Sequence, residues 1–203
     1  MSTRCWLIRH GEPAEEARGR CYGSWDIGLS EQGQLQMGYA SRYLRDEPIA
    51  AIYASPQRRA WDSARLLAGG RTCSCEAAPD LREIDFGDFE GRTYDEIATC
   101  YPDLYRQWME TPTLVQFPNG ESFSAMRTRV VAEFARIRAG HGGQTVAIVT
   151  HSGPIRILVA WALQMPDQGL FRIAQDYGAL NLMAWNENTP IVQLLNYSRG
   201  RPT

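Results

Sequence analysis

The sequence predicts an α/β fold, a three-layer sandwich in which a mostly parallel mixed sheet is flanked by helices. Short apolar runs typical of buried strands alternate along the chain with amphipathic segments typical of helices. This alternation favours parallel strands joined by right-handed crossovers. Near the C-terminus, the segments 179–185 and 191–195 flank a turn at 186–190 and predict a hairpin, which adds an antiparallel edge to the sheet.

The first half of the chain supplies three predicted strands and two predicted helices. The strands are the apolar run 5–8, the segment 49–54 and the segment 72–77. Ser30 is a predicted N-cap for a helix that reaches about residue 44. The apolar positions of this first helix are Leu35, Tyr39, Tyr43 and Leu44. The second helix, which follows residue 57, places its apolar residues on one face: Trp61, Ala64, Leu67 and Ala68.

The second half begins with an aromatic-rich, irregular segment. We expect helices after Thr93 and around 104–109, and a longer amphipathic helix over 121–139 that ends at Gly140. The inner face of the longer helix comprises Phe123, Met126, Val130, Phe134 and Ile137. A continuous apolar strand over 145–150 leads directly into His151, and Pro154 begins a helix over 155–163.

Composition limits the class of protein. A chain of 203 residues, 44% hydrophobic, is long enough for one sizeable core, so we expect a single domain over 1–203 with 88–120 as a cap or insertion over the site. The net charge of −2 argues against nucleic acid or an anionic membrane as the main partner. All 21 basic residues are Arg, so the chain lacks the lysine that a Walker-type phosphate loop requires.

The cysteines and the N-terminus predict a cytoplasmic protein. Five cysteines without CxxC spacing suggest neither a disulfide framework nor a zinc site. The N-terminal apolar run is too short for a signal peptide, and no stretch approaches the roughly 20 apolar residues of a membrane span. We expect neither a metal nor another cofactor, and either a monomer or a homodimer.

Two of the three histidines lie at strand ends. His10 and His151 each follow an apolar strand and precede a glycine within two residues, whereas His141 lies in a predicted surface turn. Ligands of open α/β sheets bind outside the carboxyl ends of the strands. A single histidine is more often structural than catalytic, but two at one rim of a parallel sheet indicate a site.

Charged residues follow the other predicted strands. Arg58 and Arg59 begin a helix, where the dipole disfavours a cation unless an anion is near. We expect one of them to face solvent and the other to face the site, and helical spacing does not choose between them. Glu83 follows the third strand among apolar and aromatic residues, where burial suits a proton donor, and Asp85 and Asp88 are its rivals.

Together these side chains predict chemistry on a phosphate ester. The planar fork of Arg matches phosphate oxygens, and a neutral imidazole is a competent nucleophile at phosphorus. Phosphoryl transfer depends mainly on positioning and charge stabilisation. Zinc ligation by His10 and His151 is disfavoured, because Arg9 and Arg59 would lie beside the dication.

Four motifs resemble those of the histidine phosphatase (phosphoglycerate mutase-like) superfamily. In chain order they are Arg9-His10-Gly11-Glu12, Ser55-Pro56-x-x-Arg59-Ala60, Leu81-x-Glu83 before Phe86-Gly87, and Thr150-His151-x-Gly153. The resemblance implies that the fold is phosphoglycerate mutase-like, that Arg59 rather than Arg58 faces the site, and that the enzyme is a phosphoric monoester hydrolase of the histidine acid phosphatase type.

The resemblance also implies a role for each matched residue. His10 forms a phosphohistidine, with its Nδ1 held by a hydrogen bond. Glu83 protonates the leaving alkoxide and then activates the water that hydrolyses the intermediate. Arg9, Arg59 and His151, the last protonated when phosphate is bound, hold the phosphoryl oxygens. The further substrate-binding residues are Tyr22, Gly23, Ser152 and Gly153. One position departs from the family, because Glu16 stands where many members carry Asn, so we expect its loop to turn outward.

The substrate is predicted from two further segments. The loop 20–26 and the segment 117–122 resemble those of α-ribazole phosphatases of the cobalamin nucleotide-loop pathway. Broad-specificity sugar-phosphate phosphatases and phosphoglycerate mutase-type enzymes are the alternatives, although the long middle insertion usual in mutases is absent. A regulatory protein that binds a phosphate ligand without turnover is a non-enzymatic alternative, which does not explain the presence of a proton donor.

Overall fold

The computed structural model describes residues 2–198, which form one six-stranded mixed sheet. The strands are β1 (Arg4–Arg9), β2 (Ile49–Ala54), β3 (Ser74–Ala77), β4 (Thr145–Thr150), β5 (Leu180–Asn186) and β6 (Thr189–Tyr197). Their order is β3-β2-β4-β1-β5-β6. The first four are parallel to one another, and the hairpin β5–β6 adds the antiparallel edge beside β1. The predicted α/β class and mixed sheet are confirmed.

Helices cover both faces of the sheet. They are α1 (Glu31–Tyr43), α2 (Arg58–Ala68), α3 (Tyr94–Cys100), α4 (Pro102–Glu110), α5 (Phe123–Gly140) and α6 (Ser152–Ala162). Side chains alternate across a strand, so Cys5 and Leu7 of β1 pack with α5 and α6, while Trp6 and Ile8 pack with α1 and α2. The two apolar cores on either side of the sheet make the three-layer sandwich.

Of the four apolar positions predicted for the first helix, only Leu44 is buried. Leu35 and Tyr43 are 58% and 49% exposed, and the buried side chains are those of Met37, Ala40 and Leu44. These three are spaced by three and four residues and therefore form the continuous stripe that a helix turns toward the sheet. The N-cap is correct, since the Ser30 hydroxyl accepts the Gly33 N–H at 2.9 Å.

Several strands and helices begin a few residues away from the predicted positions. The third strand begins at Ser74 rather than 72, and it is a short edge strand with mostly exposed side chains. Helix α5 begins at Phe123, because the Ser122 hydroxyl accepts the Ala125 N–H as an N-cap. Helix α6 begins at Ser152, after the extended backbone of His151, so Pro154 lies within the first turn. The five predicted inward residues of α5 are all buried.

The segment 88–120 contributes to the core beside α5 and α6. Phe89 and Ile97 are fully buried and Phe117 is 2% exposed, and all three belong to the core cluster on that side of the sheet. Trp108 packs against the same cluster, whereas Tyr94 is 43% exposed. The function of this segment as a cap stays a prediction. No helix within the described residues is long and apolar enough to cross a membrane.

Candidate active site

His10 lies immediately after β1 and is only 2% exposed. Its N–H donates to the Thr150 carbonyl on the neighbouring strand at 2.9 Å, and its carbonyl accepts the Gly178 N–H at 3.0 Å. The ring Nδ1 is 2.7 Å from the Gly11 carbonyl oxygen. Because a carbonyl oxygen only accepts, Nδ1 carries the proton and Nε2 holds the lone pair. The hydrogen bond expected at Nδ1 is therefore present.

Both strand-end histidines have a lowered pKa, which favours the neutral ring. The ring centres of His10 and His151 are 5.0 Å apart. Burial, followed by the charges of Arg59 and Arg9, holds the pKa of His10 well below its usual value. Burial and Arg59 likewise hold the pKa of His151 well below its usual value. A neutral His10 is the form in which an imidazole attacks phosphorus.

The two arginines at the start of α2 separate as expected. Arg59 is fully buried, and its Nη1 and Nη2 donate to the carbonyls of Trp25 and Gly23 at 2.8 and 2.7 Å. Arg58 is exposed beside Asp62, with 3.6 Å between Nε and a carboxylate oxygen. The carbonyl pair holds the buried guanidinium in place, and Arg59 rather than Arg58 lies close enough to His10 to lower its pKa.

Arg9 is held by residues that lie just before β5. Its Nη1 donates to the Gln175 carbonyl, and its guanidinium lies 3.9 Å from the ring centre of Tyr177. Gln175 is fixed in turn by a reciprocal pair of amide hydrogen bonds with the fully buried Asn181, at 2.9 and 3.0 Å. This polar pair positions the carbonyl that holds Arg9.

Three buried nitrogen atoms of the site have no hydrogen-bond partner among residues 2–198. They are Nε of Arg9, Nε of Arg59 and Nδ1 of His151. The other ring nitrogen of His151 is already bonded to the Ser55 hydroxyl at 2.8 Å. Leaving a buried polar group unpaired costs about 1–3 kcal/mol, and more for a charged one. All three atoms belong to side chains that lie close to His10.

Glu83 lies against the first turn of α6 and is 8% exposed. Its carboxylate accepts the Gly153 N–H at 3.1 Å, the Ser152 hydroxyl at 3.3 Å and the Ile84 N–H at 3.1 Å. Its surroundings are thus more polar than the neighbouring sequence suggests. The three donors hold the carboxylate in one orientation next to the histidines.

Asp85 and Asp88, the alternatives to Glu83, accept hydrogen bonds from other parts of the chain. Asp85 accepts the Gly87 N–H at 2.9 Å within its own turn. Asp88 accepts from the Asn119 amide at 3.0 Å and from the Tyr101 hydroxyl at 3.4 Å. Both groups bind within the segment that follows Glu83, and of these three carboxylates only Glu83 lines the same cavity as His10.

Two glycines of the site are required by close packing. A Cβ on Gly153 would lie 2.2 Å from Oε1 of Glu83, and a Cβ on Gly23 would lie 1.8 Å from the Ile84 carbonyl oxygen. Any side chain at either position displaces Glu83 or the backbone beside it. The polar groups of both glycines are engaged with protein, since Gly153 donates to Glu83 and Gly23 accepts from Arg59.

Sequence reasoning missed three residues that build the site: Gln57, Glu90 and Tyr177. The Gln57 amide donates to the Gly23 carbonyl and accepts the Glu83 N–H at 2.9 Å, so it ties two loops together. The Glu90 carboxylate accepts four backbone N–H groups, those of Gly23, Ser24, Trp25 and Phe86, at 2.7 to 3.1 Å. The chain around these residues carries no local pattern that would identify them.

A cavity of about 210 Å³, which we call the His10 cavity, opens onto these groups. Its walls are Arg9, His10, Arg20, Cys21, Tyr22, Glu83, Phe86, Tyr94 and Ser152. Arg59 and His151 are fully buried behind the exposed wall. Glu16 is exposed and lines a separate surface groove, as expected for an outward loop. Within residues 2–198 no three His, Cys, Asp or Glu side chains are grouped to hold a metal ion.

Comparison with known proteins identifies the family. The model of the histidine phosphatase superfamily (branch 1) matches residues 5–198. The chain belongs to this superfamily. A solved structure of a putative α-ribazole-5′-P phosphatase from Escherichia coli K-12 superposes with a TM-score of 0.90 at 27% identity, covering 97% of each chain. The predicted fold and family are confirmed.

Three curated proteins that are similar to this chain carry three different names. The bifunctional protein Rv2228c of Mycobacterium tuberculosis is 36% identical over 96% of this chain but only 54% of its own length, so the chain spans about half of that relative. The adenosylcobalamin/α-ribazole phosphatase of Salmonella typhimurium is 30% identical over 95% and 96% of the two chains. Phosphoserine phosphatase 1 of Hydrogenobacter thermophilus is 29% identical over 94% and 90%.

Proposed function

We propose that this chain is a metal-independent phosphomonoester hydrolase that works through a phosphohistidine at His10. The observation that carries the proposal is the buried His10, whose Nε2 lone pair is free. It lies close to Arg9, Arg59 and His151, each of which has an unpartnered buried nitrogen. These groups provide a nucleophile and an anion site together. Membership of the histidine phosphatase superfamily supports the same chemistry.

In the first step, Nε2 of His10 attacks phosphorus and the P–O bond to the alcohol breaks. Arg9, Arg59 and His151 stabilise the charge on the phosphoryl oxygens. Glu83, protonated at this point, donates its proton to the leaving oxygen. The Gly11 carbonyl keeps the proton on Nδ1, so the product is an imidazolium-type phosphohistidine, which is a reactive intermediate.

In the second step, water attacks the same phosphorus and the N–P bond to His10 breaks. Glu83, now a carboxylate, accepts a proton from the water and is thereby ready for the next cycle. The products are the alcohol and inorganic phosphate, so one water molecule is consumed for each ester. Fixing Glu83 with the donors from Gly153, Ser152 and Ile84 suits both proton transfers, because each requires the same position.

The natural substrate that we favour is α-ribazole 5′-phosphate. The relatives named α-ribazole phosphatases support it, because they match nearly the whole of this chain and of their own length. The aromatic walls of the His10 cavity, Tyr22, Phe86 and Tyr94, suit a leaving group with a flat ring. Phosphoserine is the main competitor, because a phosphoserine phosphatase is related at nearly the same identity.

The chemistry is tested by replacing the nucleophile. His10→Ala should abolish steady-state hydrolysis of p-nitrophenyl phosphate, and intact-protein mass spectrometry after acid-free quenching should show a phosphoryl group on the wild type only. His141→Ala is the matched control, since His141 lies outside the site, bonded to Tyr53 and Gln144. Activity that survives in His10→Ala, or that EDTA removes from the wild type, would refute the proposal.

The substrate is tested by a panel of esters. The kcat/KM for α-ribazole 5′-phosphate should exceed those for phosphoserine, 3-phosphoglycerate and simple sugar phosphates by at least an order of magnitude. A higher value for phosphoserine would reject the α-ribazole assignment and retain the chemistry. Tight phosphate binding without turnover of any ester would instead support a regulatory binding protein.

A further inference from the structure

Two tyrosine hydroxyl groups form a bridge beside His10, which we call the tyrosine bridge. The hydroxyl oxygens of Tyr22 and Tyr177 are 2.6 Å apart, in a hydrogen bond that either group can donate. Tyr22 belongs to the loop after the first strand, whereas Tyr177 lies just before β5, 155 positions later. The bond therefore joins two separate walls of the site.

Both rings lie over charged groups of the site. The guanidinium carbon of Arg9 is 3.9 Å from the ring centre of Tyr177, and the guanidinium carbon of Arg59 is 5.2 Å from that of Tyr22. The ring centres of Tyr177 and His10 are 5.7 Å apart. Each arrangement is a favourable cation–π contact or ring contact. A phosphoryl group that reaches His10 is therefore adjacent to both tyrosines.

The tyrosine bridge also lies between two cavities. Tyr22 lines the His10 cavity of about 210 Å³, and both tyrosines line a larger cavity of about 690 Å³. Arg20 and Tyr94 are walls of both, so the two spaces are adjacent. A leaving group too large for the smaller cavity therefore has room to extend past the bridge into the larger one.

The bridge has hydrogen-bonding capacity that the protein does not use. Two hydroxyl groups carry two protons, and their mutual bond uses one, so the second O–H has no partner among the described side chains and backbone. Burial and the adjacent Tyr177 raise the pKa of Tyr22, so its hydroxyl stays protonated at neutral pH. The two tyrosines are thus a neutral hydrogen-bond donor and acceptor at the boundary between the two cavities.

We infer that Tyr22 and Tyr177 determine specificity by binding hydroxyl groups of the leaving alcohol, so that the preferred substrates are phosphate esters of polyhydroxylated alcohols such as sugars. On binding, each tyrosine exchanges its bond to the other for a bond to the substrate. A plain alkyl ester breaks the bridge without replacing it. This inference rests on the proposed phosphoryl chemistry at His10.

The test compares two esters with the same carbon skeleton, glycerol 1-phosphate and propyl phosphate. The wild type should prefer the glycerol ester in kcat/KM by roughly tenfold or more, the value of one hydrogen bond. Tyr22→Phe and Tyr177→Phe each retain the ring and remove one hydroxyl. Both variants should lose most of this preference, because kcat/KM should fall more for glycerol 1-phosphate than for the propyl ester.

Two controls separate this inference from the proposed function. Tyr43→Phe removes a hydroxyl from an exposed ring on α1 and should keep the wild-type ratio. Turnover of p-nitrophenyl phosphate reports the phosphoryl chemistry itself, so its absence from the wild type would reject the proposed function. If p-nitrophenyl phosphate is hydrolysed but the two Phe variants keep the wild-type preference, or the wild type has none, the specificity role is wrong.

Discussion

We expect Gly153→Ala to displace Glu83 while the protein stays folded. The added methyl group would lie 2.2 Å from Oε1 of Glu83 and 2.6 Å from the terminal carbon of Met126. The methionine end is flexible and can move aside. The carboxylate must retreat by roughly 1 Å to reach an ordinary contact distance, and it loses the Gly153 N–H bond in doing so.

The effect on rate should be larger than the effect on stability. A misplacement of about 1 Å costs on the order of 100-fold in rate, or about 2.7 kcal/mol in the barrier. Alanine in a helix is favoured over glycine by up to about 1 kcal/mol, which offsets the loss of one hydrogen bond of similar value. The free energy of unfolding should therefore change by less than about 1 kcal/mol.

The assay uses two leaving groups. p-Nitrophenolate departs without protonation, so Gly153→Ala should keep a burst of one equivalent and then turn over slowly, because Glu83 also activates the water. An alkyl phosphate needs the proton, so its burst should disappear. Gly140→Ala is the matched control, since a Cβ there has nothing within 4 Å. Full activity of Gly153→Ala on the alkyl ester would refute the role of Glu83 as proton donor.

Two further predictions concern stability. Burial lowers the pKa of His10 and His151, so below about pH 6.5 the unfolded chain binds more protons than the folded protein. As the pH decreases through this range, the free energy of unfolding should fall by up to about 2.7 kcal/mol per pH unit, the slope for two protons. Urea titrations from pH 8 to 5 should show this slope, and His10→Ala should reduce it by about half; an equal slope in the variant contradicts the assignment. Glu90→Gln should cost about 2–4 kcal/mol and lower activity as well, because an amide cannot accept all the N–H groups that Glu90 binds. Urea denaturation beside the exposed control Glu110→Gln checks this, and equal stabilities would contradict it.

Residues at strand ends were the ones that sequence reasoning placed correctly. His10 and His151 follow long apolar runs, and parallel strands deliver their carboxyl ends to one rim. Their proximity, 5.0 Å between ring centres, follows from strand pairing alone. The same logic identified Glu83 less directly, because a turn separates it from β3.

Only the packed structure shows which of two adjacent residues is buried. Arg58 and Arg59 are alike as sequence, and only the direction of the first turn of α2 buries one of them. The buried face of α1 depends on packing in the same way. Large apolar residues occur on two sides of that helix, and the sheet selects the side with Met37 and Ala40.

The sequence by itself determined the fold class and the rim of the sheet at which His10 and His151 meet, because these depend on local patterns and on how parallel strands associate. The tertiary structure decided which groups meet across loops. Three contacts join distant segments: Glu90 binds the backbone of residues 23–25, Gln57 joins two loops, and Tyr177 reaches Tyr22. Such contacts leave no periodic signal in the chain, since each depends on the geometry of two loops rather than on spacing within one. The tyrosine bridge is therefore a property of the folded protein, and with it the inferred preference for a hydroxylated leaving group.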